Sequence, residues 1–280
     1  MLSAHSLTPT LAMTESAGAE AREANEFRET RRQTLMRWVY GIAYACHPKR
    51  AANLPFLITA TLADMARGGT RVPDPKTSAT QSHVFAGVVR GLTPESYLEA
   101  MKIGFFPWCH IGPLKWWTRG ERMVMHPARF HVSKTTKRLM KKNTYRVTFD
   151  MAFDDVVRAC SGRRKNRPYS PTWITPKIMR LYSELHAMGH AHSFEVWNAN
   201  GELAGGGYGL SAGRTFVTES MFSHETDTSK MGFASLNYHL ARWGYVLNDG
   251  KDWNPSLENA GLALIPRAEF EAVLAEYAQG

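Results

Sequence analysis

Paired cysteines, long apolar runs and a secretory leader are all missing from this sequence of 280 residues. Its three cysteines, Cys46, Cys109 and Cys160, are far apart and odd in number, which argues against a disulfide framework and against a zinc site made of cysteine pairs. No run approaches the roughly 18 apolar residues that a membrane-spanning helix needs. The first residues lack the basic start and apolar core of a signal peptide. We therefore expect a cytoplasmic protein with no membrane partner.

The composition is that of a folded, basic protein. Hydrophobic residues make up 44% of the chain, enough to bury one large core or two modest ones. Lys and Arg number 34 against 25 Asp and Glu. Between Lys115 and Arg146, ten basic residues stand against Glu121 alone. This run indicates a polyanionic partner such as a nucleic acid, an anionic membrane or a phosphorylated cofactor, or else it is only a solvated helix face.

The chain divides into four expected parts. Residues 1–28 have no hydrophobic period and predict a flexible tail. Residues 29–50 predict an amphipathic helical extension, which we expect to pack on the body of the protein, with a partner or a membrane surface as alternatives. Residues 51–120 form an expected small N-terminal domain, and residues 121–280 an α/β domain.

The α/β expectation depends on helix and strand signals that alternate along the second half of the chain. The predicted helices, several opened by a Thr-Pro cap, are 54–67, 93–104, 152–159, 175–188, 230–243 and 266–277. The predicted strands are 145–149, 193–197, 202–209, 215–219 and 245–247. Together they favour a mixed sheet flanked by helices.

Large aromatic residues concentrate in one short segment. Five lie within thirteen residues: Phe105, Phe106, Trp108, Trp116 and Trp117. They indicate either a hydrophobic plug between two layers or a stacking wall for a base or ribose, and the residues alone leave both interpretations open.

A series of short motifs runs in a fixed order from Gly91 to the C-terminus, over about two thirds of the chain. They are Gly91-Leu-Thr-Pro-Glu, Gly104-Phe-Phe-Pro-Trp108, Trp116-Trp117, His131-Val-Ser133, Tyr145-Arg-Val-Thr148, Thr172-Trp-Ile-Thr175, Gly189-His-Ala-His-Ser193, Glu195-Val-Trp197, Gly205-Gly-Gly-Tyr-Gly209, Glu219-Ser-Met-Phe-Ser223, Ser229-Lys230 and Ile265-Pro-Arg267. In this order they resemble the leucyl/phenylalanyl-tRNA–protein transferase family.

The resemblance implies a small N-terminal domain on a larger GNAT-like, that is acetyltransferase-like, α/β domain. It implies transfer of Leu or Phe, with Met as a third candidate, from aminoacyl-tRNA to the N-terminal amine of a protein that begins with Lys or Arg. In the family this modification marks the protein for degradation. The ester bond of aminoacyl-tRNA already holds the energy, so we expect aminoacyl-tRNA as co-substrate and no ATP, metal or other cofactor. By family analogy we expect a monomer.

The resemblance also assigns residues. Trp108 and Trp173 match tryptophans that line the site of the 3′-terminal adenosine, with core packing as the alternative. Glu219 matches a glutamate beside the aminoacyl site, where it could hold an α-ammonium group or a ribose hydroxyl, or simply pair with a nearby cation. An apolar side-chain pocket, or else core, is expected from three neighbours on the same strand: Phe216, Met221 and Phe222.

Two departures from the family pattern bear on specificity. Gly207 stands where the family has a large apolar residue, which predicts a wider amino-acid pocket unless a neighbour refills the space. Asp249 matches the family aspartate proposed to bind the acceptor amine, but Lys251 replaces the glutamine that follows. A charged Lys251 would repel a Lys or Arg acceptor and could stabilise an oxyanion. An acidic N-terminus, a small-molecule amine or a catalytically silent tRNA-binding protein are therefore alternatives.

The remaining assignments concern tRNA and two rival ligands. The tRNA body is expected to contact the basic strip, which is Lys134, Lys137, Arg138, Lys141 and Lys142. We expect no zinc site at His186, His190 and His192, since no cysteine or carboxylate pair accompanies them. Coenzyme A is disfavoured because residues 223–230 lack the glycines that cradle a pyrophosphate.

Overall fold

The structure, a computed structural model, describes residues 27–78, 85–162 and 172–279. The expected flexible tail over residues 1–28 lies almost wholly outside these ranges. None of the helices in these ranges is long and apolar enough to cross a membrane.

Eleven α-helices lie in the described ranges. They are α1 (Arg31–Ala45), α2 (Pro48–Ala51), α3 (Leu54–Ala66), α4 (Pro75–Ser78), α5 (Pro94–Lys102), α6 (Lys134–Lys141), α7 (Phe153–Ser161), α8 (Pro176–Ala187), α9 (Thr228–Arg242), α10 (Pro255–Glu258) and α11 (Arg267–Tyr277). A short 3₁₀ turn covers Pro127–Arg129. The predicted longer helices are confirmed, each with ends within a few residues of the prediction.

The strands within the described ranges form two sheets. They are β1 (Phe85–Val88), β2 (Phe106–Trp108), β3 (Lys115–Trp117), β4 (Glu121–Met125), β5 (Arg146–Phe149), β6 (Ala191–Trp197), β7 (Leu203–Ala212), β8 (Thr215–Ser223), β9 (Leu247–Asp249) and β10 (Ala263–Pro266). The small sheet has the order β1-β3-β2, and the large one β10-β4-β9-β8-β7-β6-β5. Only β8 and β9, which α9 connects, pair in parallel in the large sheet. The expected mixed sheet flanked by helices is confirmed, and its acetyltransferase-like class stays what the family resemblance implies.

Local chemistry explains the best-predicted helix starts. Thr93 caps α5 through the backbone N–H of Ser96, and the Ser96 hydroxyl accepts the backbone N–H of Thr93 in return. Thr175 likewise accepts the backbone N–H of Ile178 at the start of α8, with Pro176 at the first helical position. These side chains satisfy amide groups that have no partner within the helix.

Five strands were not predicted from the sequence, and one was displaced. The missed strands β1, β2, β3, β4 and β10 are three to five residues long, too short for an alternating pattern to stand out. The strand expected at 245–247 is instead Leu247–Asp249, because Trp243 and Gly244 form the turn that leaves α9 and the N–H of Tyr245 still bonds the carbonyl of Leu240 in that helix. The displacement moves Asp249 from a loop into the sheet.

Two apolar clusters fill the two faces of the large sheet. The larger cluster joins α7 and α8 to α5 and to the small sheet, for example through Tyr97, Trp116 and Tyr182. The second lies under α9 and includes Phe194 and Phe233. The change between sheets falls between β3 and β4, near the predicted domain boundary at 120, yet the larger core is continuous across it. The proposed domain limits therefore stay a prediction.

Candidate active site

A cavity of about 930 Å³ lies where the small sheet meets the middle of β8 and the loop after β9. Five of the residues that were assigned to the functional site from the sequence line it: Trp108, Trp173, Glu219, Met221 and Lys251. Residues that are up to 143 positions apart, Trp108 to Lys251, thus meet at one place. This volume is within the range of sites that hold small organic molecules.

A β-bulge on β8 places Glu219 in the cavity. Thr218 pairs with Gly209 and Ser220 pairs with Tyr208, so Glu219 is an extra residue with no partner on β7. Such a bulge re-aims side chains and is common beside active sites. Because of it, consecutive residues of β8 line the cavity, where a regular strand would present every second one.

Glu219 is the centre of a buried polar network. Its carboxylate forms an ion pair with the Nζ of Lys251 and accepts a hydrogen bond of 2.8 Å from the Tyr97 hydroxyl. Tyr97 and Tyr182 hydroxyl oxygens are 2.8 Å apart. Burial, and then the negative charge of Glu219, raise the pKa of Tyr97 and of Tyr182 well above the ordinary value for tyrosine. Both phenols therefore stay protonated, and Tyr97 acts as a hydrogen-bond donor to the carboxylate.

Lys251 has an unusual backbone that directs its side chain into the cavity. Its φ is 68°, in the left-handed region that a residue with a Cβ rarely adopts. The backbone N–H donates to Asp249 Oδ1 at 2.7 Å, which holds this conformation. The Nζ atom lies 5.4 Å from the ring centroids of Phe106 and Trp173, within the range of cation–π attraction. The ammonium group is thus fixed between Glu219 and two aromatic rings.

Asp249 does not line the cavity. Its carboxylate is 2% exposed and accepts two hydrogen bonds from Arg122, at 2.5 and 3.2 Å. Arg122 is equally buried and also donates to the carbonyl of Gly104 at 3.1 Å. A buried carboxylate with this bidentate partner is fixed in place. The geometry favours a positioning role for Asp249 behind Lys251, whereas the predicted contact with an acceptor amine stays a prediction.

Sequence reasoning missed Arg122, Tyr97 and Tyr182. A signal for Arg122 was present, since it lies on β4 directly before the apolar residues Met123, Val124 and Met125. An arginine in a buried strand needs a carboxylate partner. No local signal identifies that partner, which is 127 residues away.

The opposite side of the cavity is aromatic. In the small sheet Trp108 pairs with Lys115, and Trp117 pairs with both Phe106 and Phe85. All five residues line the cavity. The indole N–H of Trp117 donates to the carbonyl of Trp108 at 2.8 Å, which holds β2 and β3 together at this point.

The helical extension completes this side of the cavity. Tyr44 of α1 contacts His110 and Trp108 edge-on, with ring centroids 4.5 and 6.3 Å apart. Gly41 is buried, and a Cβ there would lie 2.9 Å from the carbonyl oxygen of His110. The expected packing of the extension on the body is confirmed. The contact is made by the Gly41 and Tyr44 side of the helix, whereas the apolar stripe is largely exposed: Leu35, Trp38, Val39 and Ile42.

Three residues assigned to the aminoacyl pocket lie elsewhere. Phe216 packs in the cluster under α9, and Phe222 packs against the larger core. Gly207 does not line the cavity either, and a Cβ there would lie 2.7 Å from both Met221 and Phe194. Side chains of these neighbours occupy the space above Gly207, so the missing side chain does not widen the cavity.

The basic strip is separate from the cavity. Four of its members lie on α6, whose N-terminus Ser133 caps, and Lys142 follows directly. All five side chains are exposed. Within the described ranges none of the five forms an ion pair, so the strip presents uncompensated positive charge to solvent.

The three histidines near Gly189 do not converge on a metal. His186 stacks on Phe153 at 4.1 Å, and its Nδ1 lies 2.8 Å from the carbonyl oxygen of Ala191. The Nδ1 of His192 lies 2.8 Å from a carboxylate oxygen of Asp150, and this hydrogen bond raises the pKa of His192. Burial raises the pKa of Asp150, but the hydrogen bonds from His192 and from the backbone N–H of Ser193 outweigh it, so the pKa of Asp150 is lowered. Among the described residues no group of three or more His, Cys, Asp or Glu side chains is placed to hold a metal ion.

Comparison with known proteins supports the motif analysis. Residues 124–275 match the family described as leucyl/phenylalanyl-tRNA protein transferase. A leucyl/phenylalanyl-tRNA–protein transferase of Azotobacter vinelandii is 43% identical over 184 residues, which cover 65% of this chain and 80% of that protein. A leucyl/phenylalanyl-tRNA–protein transferase of Shewanella baltica is 39% identical over 205 residues, which cover 73% of this chain and 85% of that protein. Among solved structures, FemX gives a TM-score of 0.41 at 11% identity, covering 68% of this chain and 71% of that one.

Proposed function

The chain belongs to the leucyl/phenylalanyl-tRNA–protein transferase family of aminoacyltransferases, and from this premise we propose that it transfers a hydrophobic amino acid from aminoacyl-tRNA to an N-terminal amine. Leu and Phe are the expected donors, with Met as a third. The family resemblance and the enzyme class inferred from the ordered motifs are confirmed. The donor amino acid, the acceptor and the roles of individual residues are parts of the proposal.

The observation that supports the proposal is that aromatic rings and a carboxylate–ammonium pair line the same cavity. Trp108 and Trp173 offer aromatic faces on which an adenine or ribose can stack. Glu219 and Lys251 place a paired carboxylate and ammonium in the same space. An aminoacyl-adenosine needs both, because its base is held by stacking and its ester is the reacting group.

The reaction is an aminolysis that balances without ATP or a redox cofactor. The lone pair of the acceptor amine attacks the ester carbonyl carbon, so that a C–N bond forms and the carbonyl oxygen becomes an oxyanion. When this intermediate collapses, the bond to the ribose oxygen breaks and the proton of the amine passes to that oxygen. We assign stabilisation of the oxyanion to the Lys251 ammonium, since preorganised positive charge lowers such a barrier.

The remaining polar residues position Lys251 in this proposal. Glu219 holds the ammonium, and Tyr97 donates to the other carboxylate oxygen. Asp249 holds the backbone of Lys251, and Arg122 holds Asp249. The chain of contacts leaves the ammonium little freedom, which is what electrostatic catalysis requires.

The charges around the cavity bear on the acceptor. Among the described residues that line it, the two carboxylates are already paired, Glu219 with Lys251 and Asp252 with Arg119 at 2.8 Å. A Lys or Arg acceptor side chain would therefore meet positive charge and no unpaired carboxylate. We propose an acceptor with a neutral or acidic first residue, or a small-molecule amine.

The tRNA body is assigned to the basic strip. A mutant with Lys137, Arg138, Lys141 and Lys142 changed to Ala should bind tRNA more weakly. The slope of log affinity against log salt should become shallower by roughly 0.9 for each phosphate that the mutant no longer neutralises. Filter binding at several salt concentrations measures both. An unchanged slope would mean that the strip is only a solvated helix face.

A transfer assay tests the proposed function. Labelled Leu, Phe and Met on charged tRNA are offered with peptides that begin with Arg, Lys, Asp, Glu or Ala. Product on the neutral or acidic peptides, abolished in Lys251→Ala and kept in the exposed control Lys177→Ala, is the expected result. Product on Arg and Lys peptides alone would overturn the acceptor assignment. Bound tRNA without any product would show a tRNA-binding protein that transfers nothing.

A further inference from the structure

Lys115 is a buried cation on the aromatic side of the cavity that no step of the proposed reaction uses. It is the first residue of β3, is 6% exposed and lines the cavity. Its Nζ donates to the carbonyl of Pro113 at 2.9 Å and lies 3.6 Å from the sulfur of Cys109. In the part of the chain that the structure describes, no carboxylate lies within ion-pair distance of it.

The neighbouring cysteine has a hydrogen-bond partner of its own, since the Cys109 thiol donates to the carbonyl of Ile111 at 2.6 Å. The described partners of the Lys115 ammonium are thus a backbone carbonyl and a cysteine sulfur, and neither is a carboxylate. Burying a charged ammonium without a counter-charge is costly, so proteins usually pair such a group with an anion.

The position of Lys115 indicates which anion. In the antiparallel ladder of β2 and β3, Lys115 lies directly opposite Trp108, so both side chains are on the same face of the small sheet. Trp117, two residues further along β3, shares that face. A cation on the same face as two indoles is a combination that can bind a nucleotide, because aromatic rings stack on the base or ribose while the cation contacts the phosphate.

We propose that Lys115 binds the phosphate of the tRNA 3′ end, the diester that links the terminal adenosine to the preceding nucleotide. The inference rests on the proposed function, since it needs the terminal adenosine at Trp108. A lysine ammonium has three N–H donors, and the two described contacts leave one of them for a phosphate oxygen. Lys115 thereby adds affinity for the donor and takes no part in the bond changes.

The experiment compares two stable donor analogues that differ by this phosphate. One is 3′-leucylamido-adenosine, and the other is the same compound extended by a 5′-linked cytidylate. Calorimetry gives the Kd of each for wild type, Lys115→Met, Lys115→Arg and the exposed control Lys177→Met. Circular dichroism checks that the variants are folded.

Wild type should bind the dinucleotide analogue about tenfold or more tightly than the adenosine analogue, as expected for one charge-assisted hydrogen bond. Lys115→Met should lose that gain while its Kd for the adenosine analogue stays within about twofold of wild type, and Lys115→Arg should keep most of it. Lys177→Met should behave as wild type.

Three results would overturn the inference. One is equal affinity of wild type for the two analogues. Another is an unchanged dinucleotide Kd in Lys115→Met together with a raised KM for acidic peptides, which would assign Lys115 to the acceptor. The third is no binding of either analogue by wild type, which would remove the proposed donor as well. Tight binding without transfer would overturn only the proposed function.

Discussion

The two sides of the cavity are built on different principles. On the side of β8 and β9, charged partners are present for four residues whose side chains are at most 11% exposed: Glu219, Lys251, Asp249 and Arg122. On the side of the small sheet and α1, aromatic rings predominate, and Lys115 is a cation that has no carboxylate partner among the described residues. The β8 and β9 side can hold a charge at one fixed point, and the side of the small sheet and α1 can stack on a planar ligand. Variants on the two sides should therefore change different kinetic constants.

The largest effect is expected on the charged side. Glu219→Gln leaves the Lys251 ammonium without its buried counter-charge, so kcat should fall by roughly 100-fold, the usual cost of disturbing one oxyanion donor. Single-turnover kinetics with charged tRNA measure this decrease, and Glu184→Gln on the exposed side of α8 is the control. A Glu219→Gln enzyme with near wild-type kcat would contradict the assignment of chemistry to this side.

The aromatic side should show its effect in KM. Trp108→Ala removes a stacking surface worth about 1–3 kcal/mol, so the KM for charged tRNA should rise roughly tenfold to a hundredfold with kcat little changed. Trp243→Ala, an exposed tryptophan at the end of α9, is the matched control. A fall in kcat at unchanged KM would show that Trp108 acts in the chemical step.

A smaller effect is expected where α1 joins the aromatic side. Gly41→Ala should stabilise a helix by about 0.5–1 kcal/mol through propensity alone. Here the added Cβ would lie 2.9 Å from the carbonyl oxygen of His110, so we expect α1 to shift and the KM for charged tRNA to rise a few-fold, roughly as for mild overpacking. Val39→Ala on the exposed face of α1 should change nothing. Equal KM values in both variants would show that α1 takes no part in donor binding.

The smallest effect is expected on stability, from the hydrogen-bonded pair His192 and Asp150, which lies on neither side of the cavity. The pKa of His192 is raised above 6.5 and that of Asp150 is lowered below 3.8. The stabilisation from His192 is fully present below 6.5 and disappears as pH rises through its raised pKa, whereas that from Asp150 disappears as pH falls through its lowered pKa.

Urea titrations of wild type and His192→Asn over a range of pH test this linkage. The difference in free energy of unfolding should be largest near about pH 5–6 and smaller near about pH 9, while transfer activity stays unchanged. A difference that grows with pH would reverse the sign assigned to the pair.

The sequence predicted the members of the site better than their arrangement. Trp108 and Trp173 were identified by the motifs around them, and both line the cavity. Glu219 and Lys251 were each singled out, but their ion pair depends on the bulge at Glu219 and on the left-handed φ of Lys251. Neither feature has a local signal in the residues.

The same bulge explains where the pocket prediction departed from the structure. In a regular strand Phe216 and Phe222 are an even number of residues apart and share a face. The extra residue at Glu219 reverses the alternation, so Phe216 packs under α9 and Phe222 against the larger core. Asp249 was likewise predicted from its motif, but its engagement by Arg122 is a contact between distant strands that no spacing indicates.

The central claim is that Lys251 occupies the Glu219 carboxylate, so that a Lys or Arg acceptor side chain meets a positive charge and finds no free carboxylate. The most direct measurement is kcat/KM for Arg- and Ala-peptides, with the same leucyl-tRNA, in wild type and in Lys251→Gln. We predict that wild type prefers the Ala-peptide and that Lys251→Gln shifts the ratio toward the Arg-peptide by about tenfold, the effect of removing one nearby like charge. A wild-type preference for the Arg-peptide, or the same ratio in both enzymes, would contradict this account.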